Sequence, residues 1–186
     1  MDQQVLQRIA VVGTCGAGKT RLAASIGSIL KIRHFELDNL HWTKDWMPVD
    51  DESFCNRVHE ICAQETWITD GNYGKVRDRV FARVQTVVWL DYPFWVIFSR
   101  LLWRTLLSTL TQEELVHGNK ENWQQTFFSR KSILWWAIKT HGRRRREYDH
   151  LSRSQKYAHI QFLRFRDPRQ TEVWLTAMMR DQPKSA

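Results

Sequence analysis

Between Gly13 and Thr20 the chain reads Gly-Thr-Cys-Gly-Ala-Gly-Lys-Thr, which fills every fixed position of the pattern Gly-x-x-x-x-Gly-Lys-Thr/Ser. Average residue usage gives a chance match in such a chain on the order of one per cent, so the pattern carries weight by itself. The apolar run Ile9-Ala10-Val11-Val12 precedes it, and Leu22, Ala23, Ile26 and Ile29 follow on one face of a helical pattern. Glycines let the backbone curl so that N–H groups point inward, and the N-terminus of the following helix adds partial positive charge. The phosphates of an NTP are what such a cradle takes. Gly13, Thr14, Cys15, Gly16, Ala17 and Gly18 form it, Lys19 reaches the β- and γ-oxygens, and the Thr20 hydroxyl ligates Mg²⁺. A glycine turn with an exposed lysine is the bland alternative and carries little weight.

Two acids fall where ligands bind in open α/β sheets, after the second and third strand-like runs. Asp38 follows Phe35-Glu36-Leu37 and opens Asp-Asn-Leu-His-Trp; Asp70 follows Trp67-Ile68-Thr69 and opens Asp-Gly-Asn-Tyr-Gly-Lys. A third, Asp91, precedes Tyr92-Pro93 and reads as a helix N-cap. Arg100 and Arg104 lie one helical turn apart and share a face of an otherwise apolar helix, of which they are the only charges. Arginines in such a place neutralise the charge that spreads over a transferring phosphoryl group.

The elements that must hold these residues alternate. Short apolar runs predict strands at Arg8–Val12, His34–Leu37, Trp67–Thr69, Thr86–Leu90 and Ala158–Leu163, and longer periodic segments predict helices at Lys19–Leu30, Phe54–Gln64, Pro93–Leu110 and Thr171–Arg180. That alternation predicts an α/β three-layer sandwich: a five-stranded parallel sheet with helices on both faces. Length allows one domain, 1–186, with its own core. The stretch from about Thr111 to Tyr157 breaks the alternation and is long for a connection, so it reads as a helical lid insertion. Late in it runs Arg143 to Arg146, a register the sequence leaves open.

The order of these motifs resembles the adenylate-kinase-like P-loop kinases. Leu-Asp-Asn-Leu-His-Trp, then Trp-Ile-Thr-Asp-Gly-Asn-Tyr, then Val-Val-Trp-Leu-Asp-Tyr-Pro is similar over most of the chain to the small group of topology modulation proteins. The resemblance implies an ATP-dependent kinase with ATP or another NTP and Mg²⁺ as cofactors. It implies that Asp70 holds Mg²⁺ through water, that Arg100 and Arg104 border the lid, with Arg104 at the phosphates and Arg100 on the nucleotide, and that Arg166 borders the adenine. The adenylate kinase arginine that grips an acceptor phosphate is missing; Tyr73-Gly74-Lys75 stands there, with Lys75 or Arg77 as substitutes. Asp38 resembles the acid by which shikimate, gluconate or nucleoside kinases orient an acceptor hydroxyl, and such an acid can take the hydroxyl proton. His41, Trp42, Asn72 and Tyr73 stand with it as acceptor-site residues.

Bulk composition narrows the partners. Net charge is +8 with a sequence pI of about 9.7, hydrophobic content 42% and charged content 26%. A basic globular surface attracts polyanions, and a nucleotide is one. A nucleic-acid-associated NTPase or a nucleotide-dependent binding switch is the alternative: the arginine run and ten tryptophans could hold and stack bases, although no helix-turn-helix or zinc pattern supports specific reading. Three unpaired cysteines and an N-terminus without a basic, apolar leader point to the cytoplasm. The most apolar stretch, Phe94 to Leu110, is interrupted by both arginines, which predicts no membrane span.

Overall fold

The structure, a computed structural model, describes residues 6–111 and 133–181. Five parallel strands, Arg8–Gly13 (β1), His34–Glu36 (β2), Trp67–Asp70 (β3), Thr86–Leu90 (β4) and Gln161–Phe165 (β5), form one sheet in the order β2-β3-β1-β4-β5. Central strands of such a sheet are covered on both faces, so they read as continuous apolar runs; β1, β3 and β4 are buried nearly throughout. Alternate residues of β1 feed two cores. Ala10 and Val12 join Phe54, Val58, Trp67, Val76 and Phe81 on one face, whereas Ile9 and Val11 join Ala23, Ile26, Ile68, Val88 and Ile97 on the other.

Seven helices surround the sheet among the described residues: Lys19–Leu30 (α1), Leu37–His41 (α2), Asp51–Ala63 (α3), Gly74–Arg83 (α4), Phe94–Thr111 (α5), Ile133–Ser152 (α6) and Pro168–Arg180 (α7). Helix α1 starts directly from the left-handed Gly18 and ends where the Lys31 N–H bonds back to Gly27 O. The Asp50 side chain caps α3 and the Asp167 side chain caps α7, whose first residue is Pro168.

The predicted layers, strand count and orientation are present, with local departures. Strand β2 stops at Glu36 because the chain winds into α2, which puts Asp38 in a helical first turn rather than at a strand end. Strand β5 begins at Gln161, three residues later than predicted, because turn hydrogen bonds hold residues 154–160, including the 3-10 turn Gln155–Tyr157. Asp91 does not cap α5. Its carboxylate is buried and accepts from Arg164 Nε and Nη2 at 3.0 and 2.7 Å, with Arg145 Nε at 3.3 Å. The Arg164 guanidinium stacks 4.0 Å over the Trp89 ring and bonds Asp149 at 2.8 Å. Of the expected lid, residues 112–132 lie outside the described residues; most of the remainder is α6. No helix among the described residues is long and apolar enough to cross a membrane.

Candidate active site

The segment after β1 turns on three glycines with positive φ: Gly13 (145°), Gly16 (84°) and Gly18 (92°). Crowding fixes two of them. A Cβ at Gly13 would stand 2.6 Å from Leu90 O, and one at Gly16 would stand 3.0 Å from Leu101 Cβ on α5. The Asn72 amide clamps the first glycine, accepting from Gly13 N–H at 3.2 Å and donating to Gly13 O at 2.6 Å. The buried Tyr148 of α6 donates its hydroxyl to the same Asn72 oxygen at 3.1 Å. Further along, the Thr14 hydroxyl meets His141 Nδ1, also from α6, at 3.1 Å. One helix therefore braces the loop at two points. Lys19 Nζ curls onto Thr14 O at 3.4 Å, and Cys15 and Ala17 complete the turn, Ala17 buried against the α1-side core.

Parallel pairing of β1 with β3 sets Asp70 beside Val11, at the mouth of this loop. The Thr20 hydroxyl donates to Asp70 Oδ2 at 2.7 Å, and His34 Nε2 lies 2.8 Å from Asp70 Oδ1. A hydroxyl and a buried carboxylate facing one another are hard oxygen donors, so the residues fit a Mg²⁺ ion. Glu36 stands opposite Asp70 in the β2–β3 register; burial first, then the Asp70 charge, pushes its carboxyl up.

Asp38 is exposed at the start of α2, and its Oδ1 accepts the Tyr73 hydroxyl. Burial and the Asp38 charge push that phenol far up, so it remains the donor. Rings close one side: Tyr73 lies 4.8 Å from His41, His41 lies 4.7 Å from Trp42 and 4.9 Å from Phe54, and Trp42 lies 6.0 Å from Trp46. Burial among these rings, then Lys75, holds His41 below its ordinary value, and its Nδ1 has no hydrogen-bond partner among the described residues. Of the two cations expected to replace the missing arginine, Lys75 Nζ pairs with both Asp51 oxygens at 2.6 Å and Arg77 pairs with Glu147.

Arg100 reaches Ala17 O at 3.5 Å and its guanidinium sits 5.5 Å over Tyr92, beside the loop. Arg104 follows one turn on, exposed. Arg166 is exposed after β5, where its N–H bonds Gln170. The register of the arginine run is set by α6. Arg145 turns to Asp91, whereas Arg143 and Arg144 line a groove of about 520 Å³ with Asn72, Arg77, Glu147 and Tyr148.

Sequence reasoning missed His34, Glu36, His141 and Tyr148. A signal existed for the first two: polar residues at alternate positions of a strand share one face, here the face beneath α1.

No protein-family model and no curated protein sequence matches the chain. Solved structures do. Shikimate kinase from Bacteroides thetaiotaomicron aligns at 17% identity and TM-score 0.56, covering 94% of this chain and 97% of that one. Shikimate kinase from Acinetobacter baumannii in complex with shikimate aligns at 14% and 0.55 over 96% of each chain. A gluconokinase from Sinorhizobium meliloti 1021 aligns at 16% and 0.53, covering 96% of this chain and 90% of that one. At such identities the backbone is what is shared, and the chain has the fold of the P-loop small-molecule kinases.

Proposed function

We propose that this chain is an ATP-dependent phosphotransferase whose acceptor is a hydroxyl of a small molecule. The observation that carries the reading is Asp38. Its carboxylate stands exposed with Oδ1 held by the Tyr73 hydroxyl, leaving Oδ2 for an acceptor O–H. The two cations able to replace a phosphate-gripping arginine are each neutralised by an acid, Lys75 by Asp51 and Arg77 by Glu147. An alcohol suits that balance better than a nucleoside monophosphate.

In this reading the loop N–H groups and Lys19 hold the triphosphate, with Lys19 leaving Thr14 O for the β- and γ-oxygens. Thr20, and Asp70 through water, hold Mg²⁺, which supplies neutralising charge to the phosphate oxygens. Asp38 orients the acceptor and takes its proton as the new O–P bond forms and the bond from the γ-phosphorus to the ADP oxygen breaks. Arg100, Arg104 and the groove arginines Arg143 and Arg144 supply positive charge around the transferring group, since positioning and electrostatics carry most of phosphoryl transfer. The kinase folds reported above support the reading at the level of scaffold.

The test is ADP release over a panel of hydroxylated metabolites, nucleosides and AMP, with wild type and Asp38→Asn. Loss of a general base costs about 10²–10⁴-fold in turnover, while ATP affinity stays near wild type. Robust phosphorylation of AMP that survives Asp38→Asn would overturn the alcohol assignment.

A further inference from the structure

Asp70 is held from both sides. Its side chain is 6% exposed; Oδ2 accepts the Thr20 hydroxyl at 2.7 Å, and Oδ1 lies 2.8 Å from His34 Nε2. Against an ionised carboxylate a ring nitrogen at that distance carries the proton and donates it. The ring has little freedom, being 12% exposed on the inward face of β2 beneath α1. It packs beneath α1 beside Gly27, where a Cβ would stand 3.6 Å from His34 Cβ, an ordinary contact distance.

The consequence concerns which ion the carboxylate can serve. A cation bound beside Thr20 meets Asp70, directly or through water, on its Oδ2 side, because Oδ1 is tied back to the imidazole. Chelation by both oxygens would require breaking the His34 bond. Mg²⁺ demands near-octahedral geometry at about 2.0–2.1 Å, keeps several waters and takes carboxylates one oxygen at a time, or through water. Ca²⁺ gathers roughly six to eight oxygens at about 2.3–2.6 Å and takes carboxylates bidentately with ease. A carboxylate whose Oδ1 is tied back to the imidazole, leaving only the Oδ2 side that it shares with Thr20, therefore favours the smaller ion and penalises the larger.

We propose that His34 is a positioning residue that sets the metal preference of this site, holding Asp70 to one-oxygen service so that Mg²⁺ is taken in preference to Ca²⁺. The proposal rests on the reading of the loop as a nucleotide–metal site. His34 touches neither nucleotide nor ion and acts through Asp70 alone. Partners of this kind, one bond removed from a metal ligand, typically change metal affinity by about 10–100-fold.

The test is calorimetric titration of ADP into wild type, His34→Leu and His34→Gln, each in Mg²⁺, in Ca²⁺ and in EDTA. The expected result is that wild type binds ADP more tightly with Mg²⁺ than with Ca²⁺. His34→Leu should shrink that ratio by about tenfold or more while metal-free ADP binding holds. His34→Gln, whose amide can still donate to Oδ1, should keep most of the preference. Should His34→Leu fail to fold, His34→Ala takes its place, and Mn²⁺ titration followed by electron paramagnetic resonance gives a second readout of the ion itself. A wild-type ratio in a folded variant that lacks the donor overturns the proposal alone. A wild type that binds no ADP under any condition overturns the nucleotide-site reading and the proposal together.

Discussion

Gly16 tests how closely the phosphate loop is fitted to its surroundings. Its φ of 84° is left-handed, and a Cβ there would press on Leu101 Cβ at 3.0 Å and Ile97 O at 3.2 Å. Gly16→Ala therefore has to strain the loop or push α5 away. Backbone strain of this kind costs about 1–3 kcal/mol, so the urea midpoint should fall by that equivalent and a fluorescent ATP analogue should bind more weakly. Wild-type stability and affinity would show that α5 yields freely. At this scale the loop was legible because its pattern spans eight consecutive positions, Gly13 to Thr20. The contacts that brace it were not. His34 meets Asp70 across 36 positions, and Tyr148 meets Asn72 across 76. Only strand register and helix docking bring such pairs together, and neither is written in local spacing. Asp91 was misread for the same reason: Pro93 is a local helix-start cue, whereas Arg164 lies 73 positions away.

Helix α6 is fastened along one face. His141, Arg145, Tyr148 and Asp149 recur at helical spacing and contact Thr14, Asp91, Asn72 and Arg164 in turn. Asp91 is the buried carboxylate among these contacts, with its side chain 2% exposed. Asp91→Asn would leave Arg145 and Arg164 without that carboxylate, and breaking a buried pair from one side costs about 3–5 kcal/mol. Because Arg164 keeps Asp149, we expect the lower end of that range in chemical denaturation, with the loop's contacts to α6 loosened as well. A loss within the scatter of surface substitutions would show that Asp91 is not what fastens the helix. The elements themselves differ in how plainly the sequence announces them. Helix α1 and strand β4 were predicted to their terminal residues, since each is regular and bounded by glycine or polar residues. Helix α2 has five residues, too few to display a period. Helix α4 buries only Val76, Val80 and Phe81 between charged neighbours, so its apolar stripe is too thin to stand out.

For the molecule as a whole, acid stability carries a signature of the site. His41 and His141 are both held below the ordinary histidine value, in each case chiefly by burial; Lys75 adds to this at His41, and at His141 Arg145 adds while Asp91 opposes. Both are neutral in the folded chain near neutral pH. As pH falls through about 6.5 the unfolded chain takes up these protons first. Stability is therefore unaffected by them above about pH 7 and declines as pH falls through about 6.5. Asp50, Asp78 and Asp149 are held low, and their contributions are lost only in a separate window at more acidic pH, below about 4. Thermal melts across the upper window should show a falling midpoint in wild type and a flatter profile in His41→Gln/His141→Gln. Equal slopes would mean that neither imidazole is shielded. The strand order carries a consequence of a different kind. Strand β4 pairs with β1 on one side and with β5 on the other, from Thr86↔Gln161 to Leu90↔Phe165. During biosynthesis β5 is the last of the five to emerge. Until then the run Thr-Val-Val-Trp-Leu presents an uncharged edge of unsatisfied N–H and C=O groups, the kind that templates association between chains. The fifth strand thus covers that edge and becomes the outer strand itself, with Gln161 and Arg164 interrupting the apolar run it presents.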